Sequence, residues 1–389
     1  MRLQILPKQT RGDENMSLIE ATANKTKERK GVGVIDCDIH HTYKDIKQLF
    51  PYLPRKYRER IELWGPNFGG GPGTMNGGNI GKRADSFPPG GGPAGSDLDF
   101  MVEQLLEPFD IRYGILTGEF IACTNTADTY YSAALCSAFN DYTIEHWLDK
   151  EPRFRGSIYL PIHDVAASVR EIERLGSHPG MVQAYVPSGS HHPYGNKIFH
   201  PIYEACLKHG INFTMHVGAI GDGMNASATN VGYPSYYIEY RAARTQAYMA
   251  HMASFIFEGV FEIFPELQVA FIEGGVFWVA PYLWRLDQDW KALREQTPWV
   301  KKKPSEYFLT NMYIGSQPIE EAPNRQAFDT LFEAMHAKDK LLFCSDYPHW
   351  DFDSPKLVFP KMDKETTDNV FYYNAAKYYG LPMPDKTEE

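Results

Sequence analysis

The sequence predicts a closed (β/α)8 barrel, and three observations support this fold class. Short apolar runs typical of buried parallel strands recur from Val32 onward, and the segments between them are long enough to form helices. Polar residues also follow predicted strands that lie far apart in the chain, as they do in barrel enzymes. An open, doubly wound sheet is the structural alternative. It is disfavoured because no Gly-x-Gly-x-x-Gly turn connects a strand to a helix.

The predicted strands and helices alternate along the chain. Strands are expected at 32–40, 113–118, 156–161, 181–187, 212–218, 267–274, 312–317 and 341–346. Amphipathic helices are expected at 130–149, 164–175 and 199–209. Eight strands alternating with helices is the pattern of a barrel.

The domain organisation is one barrel with additions. Residues 1–30 are polar and weakly periodic, so we expect an N-terminal arm before a barrel domain over 31–389. Either Met1 or Met16 could be the start residue. Long loop insertions are expected at 63–100, which is rich in glycine and proline, and at 218–240. Because loops that follow strands lie on the catalytic face, both insertions are expected there, with surface or subunit-contact loops as the alternative.

Composition and charge disfavour several classes of function. The chain has 389 residues, of which 43% are hydrophobic and 23% charged, as in ordinary globular proteins. The net charge of −10 disfavours nucleic acids and anionic membranes as partners. No apolar run approaches the roughly 18 residues of a membrane span, and the five cysteines form no Cys-x-x-Cys pair. We therefore expect a cytoplasmic protein that acts on a small molecule. By analogy with other barrels of this fold, which often form dimers, we also expect a homo-oligomer, a dimer or larger.

Polar residues at three strand ends predict a metal site. Asp38 and His40 lie two residues apart at the end of the first strand, so their side chains point to the same side. His216 ends the fifth strand and Asp346 ends the eighth. Carboxylate and imidazole groups can together bind one divalent ion, with zinc expected first and manganese or iron as alternatives. Ordinary hydrogen bonding of the first pair, and a helix-cap role for Asp346, are the structural alternatives.

A resemblance to a known family covers nearly the whole chain, from about residue 34 to residue 381. It rests on five stretches in order: VIDCDIH, FTMHVG, GVFEIFPELQVAFIEGG, SDYPHWD and NVFYYNAAKYYGL. The chain resembles the amidohydrolase-related family of metal-dependent TIM-barrel enzymes, which includes aminocarboxymuconate-semialdehyde decarboxylase and γ-resorcylate decarboxylase. The resemblance implies that Asp38, His40, His216 and Asp346 are metal ligands, and that Asp346 also exchanges a proton with substrate or water.

The sixth strand departs from the pattern of that family. Many of its decarboxylases carry His-Gly-Gly there, whereas this chain has Glu273, Gly274 and Gly275. With Asp38, Glu273 and Asp346 ionised, three negative charges face one divalent ion and would repel an anionic acid. We therefore expect a hydrolase that cleaves an amide, lactone or ester-like bond with a metal-activated water, while Asp346 or Glu273 handles the proton. A purely structural role is the alternative for Glu273.

Two other functions stay open. A metal-dependent, non-oxidative decarboxylase of an aromatic or unsaturated acid needs a cation in its pocket, for which Arg244, Arg285 and Lys82 are the candidates. A barrel that has lost catalysis and serves only for binding is the second alternative. It is disfavoured by the retention of all four ligand types.

Several residues outside the ligand set are expected to contribute to the site because of their places in the chain. His349 follows the eighth strand and is expected to act in catalysis or to position Asp346. The predicted substrate-binding residues are His163, His191, Tyr236, Tyr237 and Arg285. Loop histidines are also common without any role at a site, so that alternative stays open for His163 and His191.

Overall fold

The computed structural model describes residues 31–66, 81–221 and 225–384, and within these ranges it contains eight parallel strands that pair in sequence order. The strands are β1 (Val34–Ile39), β2 (Ile111–Leu116), β3 (Phe154–Tyr159), β4 (Met181–Pro187), β5 (Asn212–His216), β6 (Val269–Ile272), β7 (Met312–Gly315) and β8 (Leu341–Leu342). Backbone hydrogen bonds join β1 to the residues at and beyond β8, among them Cys37 N–H to Phe343 O at 2.8 Å. The predicted (β/α)8 TIM barrel is confirmed.

Helices connect the strands and follow the last one. They are α1 (Arg55–Trp64), α2 (Leu98–Met101), α3 (Thr129–Thr143), α4 (Val165–Leu175), α5 (His200–His209), α6 (Tyr237–Ala243), α7 (Thr245–Phe257), α8 (Val260–Ile263), α9 (Val279–Leu293), α10 (Pro304–Asn311), α11 (Arg325–Ala334), α12 (Ala337–Lys340), α13 (Lys364–Asp368) and α14 (Asn374–Tyr379). The three helices expected from sequence correspond to α3, α4 and α5. In the described ranges, none of the helices combines the length and the apolar character needed to cross a bilayer.

Several strands are shorter than their apolar runs suggested. The run at 267–274 was expected to be strand throughout, but β6 ends at Ile272, and the run at 341–346 is regular only to Leu342. Glu273 and Asp346, which follow these strands, both have a φ of 58° and so cannot continue an extended ladder. The backbone therefore turns where the polar side chains begin.

Helix α14 covers one end of the barrel. The hydroxyl of Tyr378 lies 3.0 Å from the carbonyl oxygen of Phe213 and 2.9 Å from Oγ1 of Thr214, both near the start of β5. Tyr378 also packs in one buried cluster with strand residues such as Ile115 and Ile272. The amino ends of the strands are thus closed, and the site lies at the opposite, carboxyl ends.

The expected arm at 1–30 lies outside the described residues. So do residues 67–80 of the insertion expected at 63–100, and residues 222–224 of the insertion expected at 218–240. The described part of the second insertion reaches the site, because Tyr237, which belongs to it, lines the same cavity as Val217, which precedes it.

His251 in α7 fixes the segment that follows β4. Its Nε2–H donates to the carbonyl oxygen of Ser188 at 2.8 Å, and its Nδ1 accepts from the backbone N–H of Tyr194 at 3.1 Å. This arrangement requires a neutral ring. Burial lowers the pKa of His251 from 6.5 to about 4.

The depressed pKa of His251 predicts a loss of stability in mild acid. The unfolded chain binds a proton at His251 below pH 6.5, whereas the folded chain binds it only below about 4, so the contribution is complete above 6.5 and is lost as pH falls between these values. This contribution to the free energy of unfolding amounts to about 3 kcal/mol. Urea unfolding measures how much of the free energy of unfolding is lost between pH 7 and pH 4. The loss should be smaller by this amount in His251→Gln than in the parent. The exposed His192→Gln should behave like the parent, and an unchanged pH dependence in His251→Gln would contradict the assignment.

Candidate metal centre

The end of the first strand presents two buried predicted ligands, which are held by residues that follow the second strand. The hydroxyl of Thr117 donates to Oδ1 of Asp38 at 2.6 Å, and Nδ1–H of His40 donates to the carbonyl oxygen of Gly118 at 3.1 Å. Gly118 has a φ of 71°, a conformation that glycine adopts without strain. These contacts fix both side chains and leave Oδ2 of Asp38 and Nε2 of His40 for another partner.

The fifth strand supplies a second imidazole. His216 is the last residue of β5, and its Nδ1–H donates to the carbonyl oxygen of Val217 at 2.8 Å. Its Nε2 lies 3.3 Å from Oδ2 of Asp38 and 3.2 Å from Oε2 of Glu273. With Nδ1 protonated in the neutral ring, Nε2 carries a lone pair that points at two carboxylate oxygens.

The eighth strand completes the cluster. Nε2 of His40 lies 3.0 Å from Oδ1 of Asp346 and 3.2 Å from Oδ1 of Asp38. Oδ1 of Asp346 also accepts from Nδ1 of His349 at 2.5 Å. The structure therefore brings all four residues predicted as ligands to one place, together with His349.

The donor set fits a divalent ion. In the part of the chain that the structure describes, Oδ2 of Asp38, Nε2 of His40 and Nε2 of His216 are buried and have no hydrogen-bond partner. Potential ligand atoms of these three residues and Glu273 lie within 4.8 Å of one another. With both imidazoles neutral, these three atoms are all hydrogen-bond acceptors and cannot satisfy each other. Leaving them unpaired in the interior is costly, whereas a cation between them satisfies all three. This is a buried metal-binding site.

Electrostatics lead to the same conclusion. Burial by itself would lower the pKa of His40 and His216, but the neighbouring carboxylates outweigh it and raise both pKa values, chiefly through Asp38. Burial would likewise raise the pKa of Asp38 and Asp346, but adjacent imidazoles hold both pKa values below the usual range. The cluster thus stabilises positive charge at its centre, which a metal ion supplies.

A cavity of about 240 Å³ opens onto the cluster. Its lining includes His40, His216, Glu273, Asp346 and His349. Apolar and aromatic side chains complete the wall, namely those of Ile121, Val217, Tyr237 and Trp350. The cavity suits a small, partly aromatic molecule.

Two arginines bring positive charge into this cavity. Arg244, only 9% exposed, places Nη1 3.2 Å from Oε1 of Glu273. Arg241 pairs with Asp351, and its guanidinium lies over the ring of Trp350, 4.9 Å from the centroid. Arg244 therefore offsets the charge of the third carboxylate, on which the expected repulsion of an anionic substrate depended.

The other predicted site residues divide into two groups. Tyr237, Glu273 and His349 line the cavity, as expected. Tyr236 and Arg285 are not among the lining residues. Tyr236 is 70% exposed, and Arg285 lies on the outer helix α9 with its side chain 65% exposed.

The two predicted loop histidines lie together but outside the cavity lining. The rings of His163 and His191 stack with centroids 3.9 Å apart, and Nε2 of His163 contacts Oδ1 of Asn125. Their predicted role in substrate binding stays a prediction.

Sequence reasoning missed Glu119 and Arg241. Glu119 follows β2, lines the cavity, and contacts Lys82, whose Nζ lies 2.6 Å from Nε2 of His349. Asp38 and His216 were predicted because they are polar residues at the ends of strands, and the same signal applies to Glu119. Arg241 lies in a helix within an insertion, where no comparable signal exists.

Metal removal should destabilise the folded chain. An ion that binds the fold at about 100 times its Kd stabilises it by about 2.7 kcal/mol. Calorimetry of protein stripped with a chelator should therefore show a Tm that rises by several degrees when Mn²⁺ or Zn²⁺ is restored. Asp38→Asn should show a much smaller rise. A parent Tm that does not respond to either ion would contradict the site.

Comparisons with known proteins relate the chain to one family. The family model described as Amidohydrolase matches residues 35–381. Among characterised proteins, the chain is similar to gamma-resorcylate decarboxylase of Polaromonas sp. (strain JS666), with 24% identity over 260 residues, which cover 64% of this chain and 77% of the relative.

Solved structures share the fold. The dihydroxybenzoic acid decarboxylase of Polaromonas sp. JS666, with bound manganese and 2-nitroresorcinol, matches with a TM-score of 0.62 at 19% identity, covering 90% of this chain and 97% of that one. The 5-carboxyvanillate decarboxylase of Novosphingobium aromaticivorans, complexed with manganese, matches with a TM-score of 0.65 at 18% identity, covering 92% of this chain and 99% of that one. An amidohydrolase of Mycobacterium avium subsp. paratuberculosis matches with a TM-score of 0.68 at 19% identity, covering 90% of this chain and 99% of that one.

The expectation of a hydrolase is wrong. Several of the similar proteins, including gamma-resorcylate decarboxylase and 5-carboxyvanillate decarboxylase, are decarboxylases of aromatic acids. The expectation failed for a physical reason, because it counted the charge of Glu273 without its partner Arg244.

Proposed function

The chain belongs to the amidohydrolase family, whose model spans residues 35–381, and on that premise we propose that it is a metal-dependent, non-oxidative decarboxylase of a small aromatic acid. The observation that carries this proposal is the buried Arg244 beside the metal cluster. A guanidinium has five N–H donors, so Arg244 can bond Glu273 and also bind a substrate carboxylate. Arg241 adds a second cation on the same wall.

We propose manganese as the ion. Asp38 and Asp346 offer carboxylate oxygens, which suit Mn²⁺, and His40 and His216 offer imidazoles. Both decarboxylase structures described above contain manganese. When bound, the ion would supply positive charge that attracts an anionic acid and stabilises the negative charge that develops on the ring as the carboxylate leaves.

The reaction breaks one carbon–carbon bond and makes one carbon–hydrogen bond. The electron pair of the broken bond stays on the ring carbon, the carboxylate leaves as CO2, and the carbon takes up a proton. Arg244 orients the carboxylate, and the side chains of Tyr237 and Trp350 flank the aromatic ring.

Asp346 and His349 are placed to deliver the proton. Nδ1 of His349 donates to Oδ1 of Asp346 at 2.5 Å, so this pair can hold a proton beside the bound ring. Nε2 of His349 contacts Nζ of Lys82, which in turn contacts Glu119. Because the side chain of Glu119 is partly exposed, this chain of polar groups connects the pair with solvent.

Arg244 should contribute mainly to substrate binding. At saturating Mn²⁺, Arg244→Met should raise KM about 10- to 100-fold, since a hydrogen bond to a charged group contributes about 1.5–3 kcal/mol. Steady-state kinetics give this value directly. The exposed Arg294→Met is the control and should keep the parent KM. An unchanged KM in Arg244→Met would remove Arg244 from the carboxylate site.

The function is tested by a substrate panel. Manganese-loaded protein is incubated with hydroxybenzoic acids, including 2,6-dihydroxybenzoate and 5-carboxyvanillate, and with lactones and amides. CO2 and hydrolysis products are measured separately. We expect CO2 from at least one aromatic acid and no hydrolysis. Hydrolysis of a lactone or amide, with no CO2 from any acid, would contradict the proposal.

A further inference from the structure

We propose that Glu273 is itself a ligand of the metal ion, so that the ion binds three carboxylates and two imidazoles. The inference deepens the proposed function and rests on it for the presence of a divalent ion. It concerns the residue at which this chain departs from the His-Gly-Gly pattern of the decarboxylases it resembles.

The position of Glu273 supports ligation. Its carboxylate is buried, at 7% exposure, and Oε2 lies 3.2 Å from Nε2 of His216. Potential ligand atoms of Glu273, Asp38, His40 and His216 all lie within 4.8 Å of one another. An ion that contacts the two imidazoles therefore lies within reach of Oε2.

The hydrogen bonds around His216 support the same assignment. Its Nδ1–H is engaged by the carbonyl oxygen of Val217, so in the neutral ring Nε2 carries a lone pair. Nε2 of His216 and Oδ2 of Asp38 are buried and lack hydrogen-bond partners among residues 31–66, 81–221 and 225–384. A lone pair that faces carboxylate oxygens from Asp38 and Glu273 is repelled by both unless a proton on Nε2 or a metal ion lies between them, and the metal ion is the occupant that also satisfies Oδ2 of Asp38 and Nε2 of His40.

The backbone at Glu273 has the same conformation as the backbone at a predicted ligand. Glu273 and Asp346 each follow a barrel strand, and each has a φ of 58°. A non-glycine residue in this region costs about 1–3 kcal/mol, and such strain concentrates at functional sites. The two residues thus share an unusual conformation at equivalent places in the fold, and Asp346 is a predicted ligand.

Charge balance explains the role of Arg244 beside Glu273. Three carboxylates around a divalent ion leave one excess negative charge. Nη1 of Arg244 lies 3.2 Å from Oε1 of Glu273 and supplies the compensating charge, while Oε2 stays on the side of His216. A ligating carboxylate is commonly held in this way by a second hydrogen-bonding group. The alternative is that Glu273 serves only as the ion-pair partner of Arg244.

The assignment has a consequence for metal preference. A set of three carboxylates and two imidazoles exceeds the four ligands of a tetrahedral zinc site and is rich in oxygen. Such a set favours Mn²⁺ over Zn²⁺ relative to a site with four protein ligands. Glu273→Gln should therefore lose more affinity for Mn²⁺ than for Zn²⁺.

Glu273→Gln with Glu119→Gln as the matched control tests the inference. Each variant removes one carboxylate charge from the same cavity, and Glu119 lies 3.7 Å from Nδ1 of the predicted ligand His40. The readouts are the visible absorption spectrum of the Co²⁺-loaded protein and the Kd for Mn²⁺. We expect Glu273→Gln to change the spectrum and to raise the Kd for Mn²⁺ at least 10-fold. Replacing a group that only supports a metal ligand already weakens metal binding by about 10- to 100-fold, so this is a lower limit. Glu119→Gln should keep the parent spectrum.

The spectrum decides the result. A Co²⁺ spectrum of Glu273→Gln that superimposes on that of the parent would overturn ligation, even if the Kd rises, because a residue acting through Arg244 leaves the coordination unchanged. If Glu273→Gln fails to fold, a crystal structure of the Mn²⁺-loaded parent decides instead. An oxygen of Glu273 within about 2.4 Å of the ion supports the inference, and an oxygen farther away overturns it.

The two proposals can fail separately. An unchanged spectrum in a variant whose parent releases CO2 overturns only the ligation of Glu273. A changed spectrum in a protein whose parent releases no CO2 from any acid overturns only the proposed function.

Discussion

Asp346→Asn should lower kcat for decarboxylation by about 10³-fold at saturating Mn²⁺, because proton transfer by a positioned acid contributes about 10²- to 10⁴-fold. Asparagine keeps the size of the side chain but cannot hold a proton between Oδ1 and Nδ1 of His349, which lie 2.5 Å apart. Its amide also binds a divalent ion more weakly than a carboxylate does. Metal content is therefore measured alongside kcat, so that the catalytic loss is read from metal-loaded protein.

Asp351→Asn is the matched control for Asp346→Asn. Asp351 also lines the cavity and is partly buried, but it pairs with Arg241 and Gln317 rather than with the metal cluster. Its replacement removes one carboxylate charge from the same cavity and should reduce kcat far less. Metal-loaded Asp346→Asn with the kcat of the parent would show that Asp346 does not handle the proton.

His216→Ala should abolish metal binding at micromolar Mn²⁺ and reduce activity to background. Loss of a group that merely supports a ligand costs about 10- to 100-fold in metal affinity, and removal of the ligand itself should exceed about 100-fold. His216 ends β5 and provides the buried Nε2 that faces Asp38 and Glu273. Equilibrium dialysis with Mn²⁺ measures the change in Kd.

Two further variants make the His216 experiment interpretable. His216→Gln keeps more of the side-chain volume, so it serves if circular dichroism shows that the alanine variant is unfolded. His163→Gln removes another strand-end histidine, which contacts Asn125 outside the metal cluster, and should keep the parent Kd. Metal affinity that is equal in the parent and in both His216 variants would exclude His216 as a ligand.

Much of the fold could be predicted because a parallel barrel leaves a strong pattern. Strands buried on both faces are continuously apolar, and all eight were located from that property. Their carboxyl ends were placed too late at β6 and β8, because Glu273 and Asp346 leave the extended conformation and apolar content does not report φ.

The ligand cluster could also be predicted, because barrel topology brings strand ends together. Three segments far apart in sequence supply the cluster, because the pair Asp38 and His40, His216, and Asp346 all lie at one end of the barrel. Their assignment as ligands stays a prediction, which the His216 variants test.

The reaction could not be predicted from charge alone. The hydrolase expectation depended on the uncompensated charge of Glu273, and whether a given arginine reaches it depends on the packing of helices. Arg244 and Arg285 both belong to segments rich in helix, yet Arg244 is buried beside Glu273 and Arg285 lies on the outside of α9. Pairing of charges across elements is a tertiary property that the spacing of residues does not encode.

The central claim is that a metal-loaded site replaces the carboxylate of an aromatic acid with a proton. Its most direct test is mass spectrometry of the reaction in D2O, with the best acid from the panel and with metal-loaded and chelator-stripped protein in parallel. We predict one CO2 for each substrate consumed, one deuterium at the ring carbon that bore the carboxylate, and no conversion by the stripped protein. Equal conversion by stripped protein, or a product that retains its carboxylate, would contradict the account.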